Sequence, residues 1–201
     1  MTIAHRDFRK LARRRLPRAL FDFIDGGAQD EVTLRANQSD FHRLALLPRV
    51  LTDVSKRDQS VTVLGRKLDL PLILSPTGLP GMLWPNGAIE AARAADKAGA
   101  GFCLSSMSTS TVEDVSRATR PAIWFQLYVM RDRGLSRALI ERAKAAGCSA
   151  LVLTVDLAMQ GQRDRDVHNG LTIPPEPPAC RTWSISLCIP AGYGASSPAL
   201  G

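Results

Sequence analysis

The sequence predicts an α/β fold: about the first four units of a (β/α)8 barrel, preceded by an N-terminal helical cap. Three observations predict it. From Leu70 onward, short apolar strands alternate with helix-forming segments at the spacing of parallel βαβ units. The runs Trp124-Phe125-Gln126-Leu127-Tyr128-Val129 and Leu153-Thr154-Val155-Asp156 carry polar residues at every second position, so Gln126 shares a face with Tyr128 and Thr154 with Asp156. Polar groups at the C-terminal ends of parallel strands, aimed at one centre, are how such a barrel builds a site. Finally, the rhythm stops after four strands, whereas a closed barrel takes eight strands and ~250 residues.

The elements follow in order. Asp7 to Ile24 has apolar residues at helical spacing (Phe8, Leu11, Leu16, Leu20, Phe21, Ile24), and Pro17 splits it in two. Asp25-Gly26-Gly27 ends it, glycine being suited to a left-handed cap. A second helix is expected from Glu31 to about Phe41. Ala45 to Gly65 reads as strand and turn, with Ser60-Val61-Thr62-Val63-Leu64 before a Gly65 turn. Residues 1–69 thus form the cap, and residues 70–175 the barrel portion. Its strands are Leu70 to Ser75, Gly101 to Leu104, Ala122 to Val129 and Ala150 to Val155. Its helices are Gly87 to Ala98, Thr111 to Ala118 with Thr111 as N-cap, and Leu135 to Ala146 closed by Gly147. Pro174-Pro175-Glu176-Pro177-Pro178 reads as extended linker, and the tail 176–201 shows no period.

Composition narrows the class. With 45% hydrophobic and 22% charged residues in 201, the chain has the make-up of a soluble globular domain. No apolar run approaches the ~20 residues of a membrane span, and Met1 to Arg15 lacks the apolar core of a secretory signal. The net charge of +7 favours anionic partners, small carboxylates and phosphates included. The basic N-terminus (Arg6, Arg9, Lys10, Arg13, Arg14, Arg15) reads as a solvated helix face, since no aromatic platform or nucleic-acid motif accompanies it. Cys103, Cys148, Cys180 and Cys188 show no CxxC spacing; Cys103 and Cys148 read as buried small hydrophobes, which argues for a reducing cytoplasm. His5, His42 and His168 are scattered and suggest no metal site.

Several segments carry a resemblance: Asp25-Gly26-Gly27-Ala28, Leu47-Pro48-Arg49-Val50-Leu51, Asp53-Val54-Ser55, Ser75-Pro76-Thr77-Gly78, Leu104-Ser105-Ser106, Trp124 to Val129 and Leu153 to Asp156. Together, from about Phe8 to Pro175, they resemble the FMN-dependent α-hydroxy acid dehydrogenases and oxidases, a TIM-barrel family. Gly81 to Gly87 resembles the bacterial mandelate dehydrogenases, whereas Arg131 to Gly134 and Arg142 to Cys148 resemble the bacterial L-lactate dehydrogenases, so the substrate stays open.

The resemblance implies FMN as cofactor and a small L-2-hydroxy acid as substrate. Backbone at Pro76, Thr77 and Gly78 would contact the flavin ring; Ser105, Gln126 and Thr154 would hydrogen-bond its polar edge. Tyr128 would reach the substrate carboxylate or the developing alkoxide, and Asp156 would pair with a catalytic histidine. Arg163 would bind the carboxylate, work suited to a planar bidentate donor. Phe23 stands where the family carries a substrate-binding tyrosine and loses the phenol. The resemblance leaves the acceptor open among quinone, cytochrome and oxygen. It implies homo-oligomers for intact members, and a cytoplasmic site or a peripheral one at the inner membrane face.

The family's base histidine, its following arginine, its flavin lysine and its phosphate loops have no counterpart here; His168 does not match the base. The tail from Arg181 is expected to be frameshifted, since a shifted reading of its codons permits a string similar to the family's. The chain alone is therefore expected to be inactive and poorly stable. Two alternatives remain: a non-catalytic half-barrel, and a basic nucleic-acid-binding module, which lacks any motif.

Overall fold

The computed structural model describes residues 5–156, 159 and 161–171. The expectations for the linker after Pro174, the tail 176–201, Cys180 and Cys188 lie outside them. Contacts divide the chain into two units, Met1–Leu47 with Gln160–Gly201, and Pro48–Met159.

In the first unit, helices α1 (His5–Arg15) and α2 (Arg18–Asp25) flank Pro17, which stands at the N-cap of α2 with φ −55° and ψ 145°. A proline there loses only an N–H that the helix start leaves unused. Arg9 grips Asp25 with two bonds, Nε to Oδ1 at 2.5 Å and Nη2 to Oδ2 at 2.8 Å. That hydrogen bond, foremost, holds the Asp25 carboxyl below its usual range. Gly26 ends α2, but not in a left-handed conformation: φ is −90° and ψ 162°. Glycine is needed for space, since a Cβ there would lie 2.7 Å from the Asp22 carbonyl oxygen.

Helix α3 spans Val32–Ser39 and passes into a 3-10 turn at Asp40–Arg43, shorter than the expected helix to Phe41. Glu31 stays outside it, left-handed at φ 56°, and its Oε1 accepts from the Gly27 N–H at 3.1 Å. A short helix α4 (Asp164–His168) returns to α2, where Asn169 Nδ2 donates to Asp22 Oδ2 at 2.8 Å. Five residues, four of them charged or histidine, give no apolar stripe by which sequence alone would show a helix.

The second unit opens with a hairpin, β1 (Val61–Val63) and β2 (Arg66–Leu68), around Leu64 and Gly65 at φ 49° and 76°. Two left-handed residues in succession make the tight turn that matches strand twist. Strand β2 was not anticipated. Its Arg66 donates to the carbonyls of Ala122 (2.6 Å) and Ala100 (3.5 Å), so the hairpin sits at the N-terminal end of the main sheet.

That sheet holds β3 (Ile73–Leu74), β4 (Gly101–Ser105), β5 (Trp124–Tyr128) and β6 (Ala150–Thr154), parallel and in chain order. Strand β3 keeps two residues of the six expected; on its N-terminal side Pro71 has no N–H for a ladder. Helices α5 (Gly87–Lys97), α6 (Val112–Ala118) and α7 (Arg133–Ala145) supply the crossovers. Thr111 caps α6, its side chain accepting from the Asp114 N–H at 3.1 Å. Asp132 caps α7, which starts two residues ahead of the expected Leu135, and accepts from Gly134 N at 2.7 Å and Leu135 N at 3.3 Å. Gly147 then closes α7 at φ 80°, as its position predicts.

The two faces of the sheet differ. Phe102, Leu104, Phe125 and Leu127 point to the helices and pack with Ala88, Ala92 and Ala95 of α5, Val112 and Val115 of α6 and Ala143 of α7. Alanines let the helices approach closely. On the other face lie Cys103, Ser105, Trp124, Gln126, Tyr128 and Thr154, as the ladder register requires. On β6 the helix-side pair Leu151 and Leu153 is 47% and 54% exposed, whereas its β5 neighbours Phe125 and Leu127 are 3% and 2%.

Arg142 of α7 ties α6 by a paired bond to Glu113, Nε to Oε1 and Nη2 to Oε2, both 2.8 Å. That hydrogen bond, foremost, draws the Glu113 carboxyl from its usual 4.5 to about 2. The folded value is the lower one. The tie's contribution is therefore present above pH 4.5 and is lost as pH falls toward 2. The side chains are 51% and 39% exposed, so solvent screening leaves less than ~1 kcal/mol. A carboxyl NMR titration is expected to place Glu113 below its usual value in the native chain and to move it up toward that value in Arg142→Gln.

Candidate functional site

The C-terminal ends of β4, β5 and β6 carry one hydrogen-bonded line. Register sets Ser105 opposite Gln126 and Tyr128 opposite Thr154, on the same face. Ser105 Oγ donates to Gln126 Oε1 at 3.1 Å, and the Ser106 N–H donates to that oxygen at 3.2 Å. Gln126 Nε2 donates to Thr154 Oγ1 at 2.6 Å. Ser105 Oγ in turn accepts from the Met107 N–H at 3.0 Å. Two donors on one side and one acceptor on the other fix the amide, oxygen toward β4 and nitrogen toward β6. Ser105 and Gln126 are buried, 5% and 2% exposed. Thr154 is half-buried and ends the line: its Oγ1 accepts from Gln126, which leaves its own hydroxyl hydrogen to donate elsewhere.

Tyr128 is half-buried at the tip of β5, its backbone N–H donating to Ser106 Oγ at 3.2 Å. Pro76, Thr77 and Gly78 form an exposed loop after β3. It is anchored where Leu79 N donates to Met107 O at 2.9 Å and Gly81 N to Thr109 Oγ1 at 2.9 Å. Thr77 Oγ1 turns back to Ser75 O at 3.4 Å. Asp156 is exposed just past β6 and has no hydrogen bond or ion pair among the described residues.

Beneath the line, Cys103 lies opposite Trp124. Burial pushes the Cys103 thiol up to about 11, so it stays neutral at physiological pH. The Trp124 indole N–H is buried without a partner among the described residues. The face is therefore a neutral strip of amide and hydroxyl groups over an uncharged floor. Such a strip suits a flat ring edge that alternates carbonyl and N–H. A cavity of about 180 Å³ at Ser105, Ser106, Thr109, Leu139 and Arg142 lies on the helix side; it is below the ~300 Å³ at which ligand pockets begin.

The first unit holds Phe23 and Arg163 together. The Arg163 guanidinium lies 5.2 Å from the centroid of the Phe23 ring, and its Nη2 donates to the Phe23 carbonyl. Its Nε donates to Asp166 Oδ2 at 2.5 Å. Alongside, Arg165 joins Glu31 Oε2 at 2.7 Å and Asp25 Oδ2 at 3.7 Å. Phe23 thus carries Arg163, through its ring face and its backbone. Sequence reasoning missed Ser106 and Asp166. The Arg163–Asp166 spacing of i,i+3 was a usable signal once a helix is placed there.

A family profile described as FMN-dependent dehydrogenase matches residues 12–192. The L-lactate dehydrogenase of Alcaligenes faecalis is 51% identical over 169 residues, 84% of this chain and 44% of that protein. A soluble mutant of the membrane-associated (S)-mandelate dehydrogenase from Pseudomonas putida superimposes with a TM-score of 0.80 at 44% identity, over 85% of this chain and 48% of the other. A structure described as monotopic membrane protein (S)-mandelate dehydrogenase gives 0.79 at 42% identity, over 85% and 46%. The chain spans under half the length of these relatives. The profile runs from the end of α1 through α2, all four parallel strands and the Arg163 turn, and on that extent the chain belongs to the FMN-dependent dehydrogenase family.

Proposed function

We propose that this chain contributes the flavin-edge contacts and a carboxylate contact to the FMN-dependent oxidation of a small L-2-hydroxy acid, of L-lactate or L-mandelate type, to the 2-oxo acid. The observation that carries the reading is the Ser105–Gln126–Thr154 line, neutral, hydrogen-bonded throughout and ending in a hydroxyl. The four parallel strands are read as the first half of an eight-stranded barrel.

Bound FMN would supply acceptance of the hydride from the substrate α-carbon, and the protein would supply orientation and electrostatics. The Thr154 hydroxyl donates to the ring edge, and Gln126 holds it there, itself held by Ser105. Backbone at Pro76, Thr77 and Gly78 lies against the ring. Tyr128 hydrogen-bonds the substrate carboxylate or the alkoxide forming beside it. Asp156 steadies the cationic form of the histidine that takes the hydroxyl proton, a histidine the resemblance does not find among His5, His42 and His168. Arg163 binds the substrate carboxylate. Lactate-like and mandelate-like segments coexist, so both acids belong in the assay. The whole protein passes electrons to a quinone, a cytochrome or oxygen, and a peripheral station on the cytoplasmic side of the inner membrane fits the monotopic relative. Among the described residues no helix is long and apolar enough to cross a membrane.

FMN titration followed by flavin fluorescence tests the reading. The chain is expected to quench it, and Thr154→Val to weaken binding about tenfold, the worth of one hydrogen bond. Unchanged affinity in Thr154→Val would sink the assignment of that hydroxyl. A second reading, a sheet that binds but does not turn over by itself, is favoured by the uncovered Leu151 and Leu153 on β6. It expects a flavin that L-lactate and L-mandelate leave oxidised.

A further inference from the structure

We infer that Asp166 positions Arg163, clamping one edge of the guanidinium so that the opposite edge is presented to an incoming monocarboxylate. The inference rests on the reading of Arg163 as the carboxylate contact, and adds the residue that aims it.

A guanidinium is planar and carries five N–H donors, so fixing one edge fixes the other. In Arg163 the edge formed by Nε and Nη2 is occupied, Nε by Asp166 Oδ2 at 2.5 Å and Nη2 by the Phe23 carbonyl. The Phe23 ring, 5.2 Å away, holds the plane from one face. What remains is the outer edge, Nη1 with the second Nη2 hydrogen. Those are the parallel donors a carboxylate takes with both oxygens.

The carboxylate of Asp166 is itself unusual. Its side chain is 13% exposed against 28% for Arg163, so the holder is more deeply set than the group it holds. Its second oxygen, Oδ1, is buried with no partner among the described residues. A carboxylate kept only for stability would be satisfied at both oxygens. This one spends its bonding on Arg163. The pair has no net charge, so recognition at the outer edge works by direction more than by attraction.

That gives a test of sign. If Asp166 were only a counter-charge, removing it would leave Arg163 more attractive to an anion, and L-lactate would bind more tightly. If Asp166 aims the arginine, Asp166→Ala weakens L-lactate about tenfold or more despite the added positive charge, the cost of a misdirected charged hydrogen bond. Asp166→Asn, which keeps an acceptor oxygen in place, stays within about threefold of the native chain. The Arg163 Nε–H gives a second readout: by 1H–15N NMR it is expected to exchange slowly in the native chain and in Asp166→Asn, and to join the exposed arginines in Asp166→Ala.

Equal or tighter L-lactate binding in Asp166→Ala overturns the inference. Should Asp166→Ala fail to fold, a loss of affinity in Asp166→Asn with its Nε–H still protected overturns it as well. Undiminished binding in Arg163→Met is a different result, and removes the reading of Arg163 on which the inference stands.

Discussion

Leu104→Ala is expected to destabilise the sheet-bearing unit by about 2–5 kcal/mol, the range for deleting a buried leucine whose surroundings cannot collapse. Leu104 is 2% exposed at the centre of the helix-facing layer, between Phe102 and the β5 residue Phe125. The alanines of α5 that close on this layer have no side-chain length with which to fill a hole. Leu153→Ala is the control. It removes the same atoms from the same side of the same sheet, but at a position 54% exposed, where the loss should stay below about 1 kcal/mol. Urea unfolding of both variants, fitted with a common slope, gives the comparison. If the two cost alike, the division of the sheet into a covered and an uncovered part is wrong.

Gln126→Leu is expected to cost about 1–3 kcal/mol and to lose flavin binding at once. Leucine nearly matches glutamine in size, so the effect is polar. The Ser105 hydroxyl, buried at 5% exposure, loses its acceptor, and Thr154 loses the donor that orients it. The Ser106 N–H is spared, since it also donates to the Gln126 backbone carbonyl at 2.9 Å. Thr154→Val separates the two consequences. It should weaken flavin while leaving the urea midpoint near that of the native chain, because Thr154 is only half-buried. Gln126→Leu with normal flavin affinity would mean that the amide serves packing alone.

Much of this was legible in the residues because period and face are local properties. Alternation in Trp124 to Val129 and Leu153 to Asp156 put Gln126, Tyr128 and Thr154 on one side before any register was known, and the ladder agrees. What the pattern could not carry was pairing. Ser105 reads as a donor to a ligand, but in the fold its hydroxyl is taken by Gln126, a partner 21 residues away. Phe23 reads as a tyrosine that lost its phenol, whereas 140 residues on, Arg163 uses its carbonyl.

Other departures have local causes that composition hides. Pro71 leaves the start of β3 without a donor. Gly26 was chosen for space and not for a left-handed turn. Helix α4, five residues rich in charge, has too little length for an apolar stripe to show. Strand β2, Arg66–Leu68, is too short for alternation to register.

The strand order has a temporal meaning. Because β3, β4, β5 and β6 lie side by side as they follow one another along the chain, each can dock on a neighbour the ribosome has already released, without waiting for distant residues. Loop closures stay short, which favours rapid assembly. The glutamine amide would then be set first from its β4 side, by Ser105 and Ser106, and the threonine would arrive last, onto a donor already aimed at it.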